Sequence, residues 1–284
     1  MSVHWLTGPD EPCIADYRDI AEHELVRSRG LFVAEGRLVV RRLIEDRRYV
    51  LRSVLVSEAA YRALEPALAA AGAQAPIYVC KAPDFLGITG HDIHRGCLAL
   101  VERPPALSVR DLLTTVQTPV TMGTRPSTTA AAPRSTIVVL EGVTNPDNVG
   151  GVFRNAAAFA ASGVLLDPAC CDPLYRKSIR TSMAAVLRVP FARVDAWPDD
   201  LGILRELGFT IAALTPRAPS MTIDAFAASR PARVALLVGT EGEGLTRDAE
   251  SAADCRVRIP IAEDIDSLNL AVAVGIALHQ LSTT

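Results

Sequence analysis

The chain has 284 residues, 49% of them hydrophobic and 21% charged, with a formal net charge of −3. That length implies one or two domains with ample material for buried cores, and the near-neutral balance carries no global signature of a nucleic-acid binder. The longest apolar stretch, Leu268 to Leu278, falls far short of the ~20 residues that span a bilayer, so no membrane insertion is expected.

Charge is unevenly spread. Arg27 to Arg52 holds eight arginines against three acids, and Asp172 to Arg193 holds five basic residues against one acid. Lys81 and Lys177 are the only lysines, so arginine supplies nearly all the positive charge. Arginine suits bidentate phosphate contacts, but such a bias also follows from genome composition and carries little weight. The six cysteines form no CxxC pair, Cys170 and Cys171 are adjacent, and no secretory signal is visible, which together predict a reducing, cytoplasmic setting.

In chain order, Ile14 to Arg27 reads as a helix and Leu38 to Glu45 as a second, with Leu38, Leu43 and Ile44 on its apolar face. Val54 to Val56, Ile77 to Val79 and Cys97 to Val101 read as short buried strands, with an Ala-rich helix over 59–71 between the first two. Strands alternating with helices predict a small α/β domain over residues 14–105. Between Thr118 and Ser135 the composition turns to Pro, Thr, Ser, Ala and Gly without hydrophobic period, so residues 106–135 are expected to be a flexible linker. The remainder, 136–284, alternates more strongly. Apolar runs at Ile137–Leu140, Val164–Leu166, Ile211–Leu214, Val234–Val238 and Arg256–Ile259 predict a largely parallel sheet covered on both faces.

Three segments of this second domain carry candidate chemistry. After the strand ending at Leu140, Pro146 precedes a helical pattern over 148–161 that Asp147 or Asn148 can cap, with Gly150, Gly151 and Arg154 near its start. A helix N-terminus with a glycine pair and an arginine suits an anion; the same glycines also suit close packing. The apolar strand 234–238 runs into Gly239-Thr-Glu241-Gly242-Glu243-Gly244, which is neither a Walker loop nor GxGxxG. Glycine-rich backbone beside carboxylates suits a cationic or hydroxyl-bearing ligand and would repel pyrophosphate. Finally, Ile259-Pro260-Ile261 leads through an acidic loop to Ser267 and Asn269 at the mouth of an apolar helix, where both residue types also serve as N-caps.

Asn148-Val-Gly150-Gly-Val-Phe-Arg154-Asn-Ala156, Gly239-Thr-Glu241-Gly-Glu-Gly244-Leu245 and Ile259-Pro-Ile with Ser267-Leu-Asn269 together resemble, in order and spacing, the three motifs of the SpoU (TrmH-type) branch of the SPOUT RNA methyltransferases. Asp172-Pro173, Lys177, Arg180, Ser182 and Pro190 follow the same family's run, with Ala184 standing where a glycine is usual. Arg27-Ser-Arg29-Gly-Leu-Phe-Val-Ala-Glu35-Gly36 and His94-Arg-Gly96 resemble the ribosomal-protein-L30e-like substrate-binding domain that precedes many such catalytic domains.

The resemblance implies an α/β catalytic domain tied in a deep C-terminal trefoil knot, an exception to the unknotted rule. It implies S-adenosyl-L-methionine as cofactor, held near Leu214, Gly239, Glu241, Ile259, Ile261 and Leu268, and methyl transfer to a ribose 2′-hydroxyl. Large-subunit (23S) ribosomal RNA is the expected substrate; transfer RNA and a non-catalytic RNA-binding role are the alternatives. The implied catalytic residues are Asn148, Arg154, Glu241, Ser267 and Asn269. A guanidinium stays charged above pKa ~12, so Arg154 is expected to hold RNA phosphate and developing negative charge and not to act as a base. Arg27, Arg29, Arg37, Arg154, Lys177 and Arg180 are the candidate RNA contacts. No metal-ligand cluster is evident, and a homodimer through the second domain is expected, because the helix over 269–281 is apolar on nearly every face.

Overall fold

Short apolar runs flanked by turn residues become strands in both halves of the chain. The computed structural model describes residues 2–18, 22–71, 75–89, 96–117, 134–262 and 264–283. They divide into two units, Met1–Pro105 with Asp172–Ala184, and Ala106–Cys171 with Ala185–Thr284.

The first unit contains, in order, β1 (Val3–Trp5), α1 (Glu22–Arg27), β2 (Leu31–Glu35), α2 (Arg37–Asp46), β3 (Leu51–Ser57), α3 (Glu58–Ala71), β4 (Ile77–Cys80), α4 (Ala82–Thr89) and β5 (Cys97–Glu102). Its sheet has the order β1-β4-β3-β5-β2, with β5 antiparallel to both neighbours and the other pairs parallel. The helix expected over Ile14–Arg27 is instead a 3-10 helix, Pro12–Tyr17, and the separate α1. Residues 19–21 lie outside the described residues, as do His94 and Arg95. Strand β2 was not anticipated, since its residues fall inside the Arg27–Gly36 motif.

The expected linker begins too early. Helix α5 (Val109–Gln117) buries Val109, Leu112 and Leu113 in the second unit's core, and Leu107 bridges to Ala192. Its i, i+3, i+4 apolar spacing is a helical stripe that composition alone obscured. The low-complexity residues 118–133 lie outside the described residues.

The second unit continues with β6 (Ser135–Leu140), α6 (Pro146–Ala158) and β7 (Gly163–Leu166); α7 (Arg176–Thr181) follows in the chain. Then come β8 (Phe191–Arg193), α8 (Leu201–Glu206), β9 (Thr210–Leu214), β10 (Met221–Thr222), α9 (Ile223–Ala228), β11 (Arg233–Val238), α10 (Arg247–Ser251), β12 (Cys255–Arg258) and α11 (Leu270–Thr283). The seven strands are all parallel, in the order β10-β12-β9-β11-β6-β7-β8. Strands β6 and β7 are buried at every position, so both faces are covered, as parallel sheets require. No helix among the described residues is long and apolar enough to cross a membrane.

Helix α7 and its flanks, expected in the second domain, belong to the first unit. The cause is electrostatic as well as steric. Buried Glu35 on β2 faces Arg176 Nε at 3.6 Å and Arg180 Nη1 at 3.2 Å, and buried Asp172 pairs with Arg103 at 2.8 Å. A buried carboxylate stripped of its guanidinium costs several kcal/mol, so these pairs hold the segment in place. Ala184, in the position where glycine is usual, adopts φ +65° and Met183 φ +52°, both left-handed.

Candidate active site

Three loops at the C-terminal ends of β9, β11 and β12 enclose a cavity of about 520 Å³. The wall from β9 is Leu214-Thr215-Pro216-Arg217; that from β11 is Val238 to Leu245; that from β12 is Ile259 and Ile261, closed by Asp266, Ser267 and Leu268 before α11. Open parallel sheets generally bind ligands at this end of their strands.

The glycine loop is tight. Gly244 N–H donates to the Thr240 carbonyl at 3.1 Å, folding the segment back on itself. A Cβ on Gly239 would lie 2.2 Å from the Gly244 carbonyl carbon and 2.3 Å from the Leu245 nitrogen. Glycine is therefore required there by the loop's own return. Gly151 has a similar explanation: its Cβ would meet Ala271 Cβ at 2.6 Å, so this glycine admits α11 against α6 and not a ligand.

Asn269 joins the three motifs. Its Oδ1 accepts from Val272 N–H at 3.2 Å, capping α11. Its Nδ2 donates to Glu241 Oε1 at 2.7 Å and to Asn148 Oδ1 at 3.1 Å. Glu241 Oε1 also receives Leu270 N–H at 3.4 Å. Asn269 thus caps α11 with one end of its amide and braces Glu241 and Asn148 with the other. On α6 the cap is Asn145, whose side chain accepts from Asp147 N–H at 2.9 Å, and not Asp147 or Asn148; Pro146 occupies the first turn, where a missing N–H costs nothing.

Leu214, Gly239, Glu241, Ile259, Ile261, Leu268 and Ser267 all line the cavity. Asn148, which is buried, and Asn269 do not line it; they connect to its wall through the Asn269–Glu241 hydrogen bond. Arg154 does not line it: it projects from α6 as an exposed side chain with no hydrogen-bond or ion-pair partner among the described residues. The other candidate RNA contacts, Arg27, Arg29, Arg37, Lys177 and Arg180, all fall in the first unit. Arg29 is engaged with Asp16 at 2.6 Å and Arg180 with Glu35 at 3.2 Å.

Two supporting residues were missed. Buried Glu141, just after β6, accepts from Trp197 Nε1 at 2.7 Å, Thr246 N–H at 2.9 Å and Thr246 Oγ1 at 2.6 Å, which pins the far end of the glycine loop where Thr246 caps α10. Hydrogen bonds to a charged acceptor contribute about 1.5–3 kcal/mol each. Arg217 donates to the Glu243 and Leu245 carbonyls, both at 3.0 Å, and to Glu250 Oε2 at 2.7 Å, tying the β9 wall to the β11 wall. Local motif spacing signals neither. The nearby Cys170 is buried, with its thiol pushed up from the ordinary range by desolvation, so it is a packing group and not a nucleophile.

The cavity's character is mixed in a directed way. Leu214, Val238, Ile259, Ile261 and Leu268 supply apolar wall, while Glu241, Glu243 and Asp266 supply carboxylates. Such a site suits a ligand with a flat apolar part and a cationic part, in the volume range of small-molecule pockets.

Comparison with known proteins agrees. The sequence model of the SpoU rRNA Methylase family matches residues 135–279. A tRNA/rRNA methyltransferase of Mycobacterium bovis, itself uncharacterized, is 36% identical over 285 residues, covering 99% of this chain and 92% of that protein. The chain belongs to the SpoU rRNA methylase family. Among solved structures, an AdoMet-bound rRNA methyltransferase from Sinorhizobium meliloti superposes with a TM-score of 0.77 at 25% identity, covering 98% of this chain and 97% of that one. An RNA 2′-O ribose methyltransferase superposes with a TM-score of 0.74 at 25% identity, covering 98% of each.

Proposed function

We propose that this SpoU methylase transfers a methyl group from S-adenosylmethionine to a ribose 2′-hydroxyl of RNA, with large-subunit ribosomal RNA as the substrate. The observation that carries the reading is the junction at Asn269, which ties Asn148 and the start of α11 to Glu241 on the cavity wall. Bound there, the cofactor supplies an electrophilic methyl on a sulfonium. Apolar side chains of Leu214, Ile259 and Leu268 take its adenosine, and the carboxylates of Glu241, Glu243 and Asp266 favour its positive charges. Glu241 and Asn269 hold each other in place, so Ser267 and the backbone around it are pre-set against the incoming ribose.

Methyl transfer would exchange the S–CH3 bond for an O2′–CH3 bond, with the hydroxyl proton leaving to water or a neighbouring group. Arg154 contributes a permanent positive charge to RNA phosphate and to the oxygen as it becomes nucleophilic. Alignment of the two bound reactants supplies up to roughly 7–11 kcal/mol of the barrier reduction. The first unit is an L30e-like RNA-binding module that adds affinity through Arg27, Arg37 and their neighbours. The second carries the trefoil knot and forms the homodimer; exposed Val272 and Ile276, one turn apart on α11, lie on the face that a second copy covers.

The test is transfer of labelled methyl from S-adenosylmethionine to ribosomal and transfer RNA, followed by digestion and mass spectrometry of the nucleosides. A 2′-O-methyl nucleoside from 23S RNA is the expected product. A base-methylated nucleoside, or binding of RNA with no transfer, would overturn the reading.

A further inference from the structure

Beside the cofactor cavity, and sharing Arg217 with it, lies a second cavity of about 370 Å³ lined by Arg217, Ala218, Arg247, Glu250, Ser251 and Arg256. Its lining has no large apolar side chain, so it is built for a polar ligand. Three guanidinium groups face one carboxylate. Glu250, 5% exposed, lies between Arg217 Nη1 at 2.7 Å and Arg256 Nε at 2.9 Å. The carboxylate hydrogen-bonds Arg217, lies within ion-pair distance of Arg256, and offsets one of three charges, leaving two in excess.

The donors divide clearly. Arg217 is committed to Glu250 and to the carbonyls of Glu243 and Leu245, so it acts as wall. Arg256 meets Glu250 through Nε, which leaves its terminal amino groups to the cavity. Arg247 is exposed and pairs with no described residue. A planar guanidinium paired by charge with a buried acid, beside a second that pairs with no described residue, is an arrangement suited to phosphate oxygens.

We infer that this cavity binds a phosphate group of the RNA substrate. The cofactor cavity is rimmed by Glu241, Glu243 and Asp266, which repel a polyanion. A nucleic acid approaching that rim therefore needs a compensating cation cluster close by, and Arg247 begins the helix that follows the glycine loop. The inference rests on the proposed RNA methyl transfer for its choice of ligand, since a free phosphate carries the same oxygens.

The test uses the full chain, without cofactor, and fluorescently labelled poly(U) and deproteinised ribosomal RNA across a salt series. Arg247→Glu should weaken RNA binding on the order of tenfold at low salt and lower the log–log salt slope by about one unit, and Arg247→Lys should restore both. Affinity for S-adenosylmethionine, read by calorimetry on the same variants, should stay within about twofold of wild type, because Arg247 makes none of the loop-bracing bonds. An unchanged salt slope overturns the inference, and so does a parallel loss of cofactor affinity, which would make the cluster a loop brace only. Calorimetry with inorganic phosphate separates the two sources of the ligand: saturable phosphate binding abolished by Arg247→Glu, with RNA affinity untouched, would mark a small-anion site and overturn the RNA assignment. Wild-type methyl transfer with an insensitive Arg247→Glu variant defeats this inference alone, while RNA binding that depends on Arg247 in a protein that transfers no methyl defeats the proposed function alone.

Discussion

Replacing Gly239 and Gly242 separately by alanine discriminates two roles that glycine plays in one loop. At Gly239 the added carbon would lie 2.2 Å from the Gly244 carbonyl carbon, 2.3 Å from Leu245 nitrogen and 2.4 Å from the Gly244 oxygen. Non-bonded carbons rest at about 3.5–4.0 Å, so the returning arm must retreat by more than about 1 Å. That motion strains the Gly244-to-Thr240 hydrogen bond and the two bonds from Arg217, all 3.0–3.1 Å. Losing two or three bonds at about 1 kcal/mol each, with some relief by relaxation, gives a cost near 3 kcal/mol. The melting temperature should fall by roughly 6–12 °C. Displacement of a cavity wall by this amount should also reduce the methyl-transfer rate on the order of 100-fold. Gly242 has φ +86° and nothing within 4 Å of a built Cβ, so alanine there costs only the left-handed penalty of about 1 kcal/mol. Thermal melts and cofactor calorimetry on both variants read the difference. Wild-type cofactor affinity in Gly239→Ala, or equal losses in the two variants, would refute the steric argument.

Four further outcomes are expected. Arg154→Ala should abolish single-turnover methyl transfer and leave melting and cofactor binding nearly unchanged, because its exposed side chain has no partner among the described residues; retained turnover would remove it from the reaction. Asn269→Asp keeps the acceptor that caps α11 but sets a carboxylate against Glu241 Oε1, now 2.7 Å from Nδ2, so helix content should survive while methyl transfer at neutral pH is lost; full activity would disprove the Asn269 junction. Ala184→Gly removes the cost of φ +65° at a buried position, and denaturant melts should show a gain of up to about 1 kcal/mol. Val272→Asp places a charge on the exposed apolar stripe of α11, and light scattering should change from a dimer mass to that of the 30.3 kDa chain; a wild-type protein that is monomeric and fully active would end the dimer proposal.

Much of the second unit could be read from the sequence because its signals are local. Five runs of three to five residues become β6, β7, β9, β11 and β12; the buried faces of β6, β7, β9 and β11 demand continuous hydrophobicity, whereas β12, Cys-Arg-Val-Arg, buries only Val257. Strands β8 and β10, three and two residues long at the sheet's edges, carry no such run. Helix α5 was lost for a different reason: its stripe of Val109, Leu112 and Leu113 abuts a low-complexity stretch whose composition dominated the reading. Helix α7 groups with the first unit although it follows β7 in the chain, because its arginines answer Glu35, some 145 residues earlier.

The site divides along the same line. Gly239, Glu241 and Asn269 were legible as motif members, yet their reasons were not, because each reason is a contact across the fold. Gly239 answers to Leu245 within its own loop, Glu241 to Asn269 at a separation of 28, and Asn269 to Asn148 at 121. Glu141 and Arg217 lie outside the strongest motif positions and act only through partners far along the chain: Trp197 and Thr246 at 56 and 105 residues for the first, Glu250 at 33 for the second. These two side chains set where the glycine loop begins and ends. The motif residues announce themselves by type, since glycine, carboxylate and amide are rare together at a strand end. Residues that place those groups are ordinary arginines and glutamates, and only the path of the backbone distinguishes them from the rest of the surface charge.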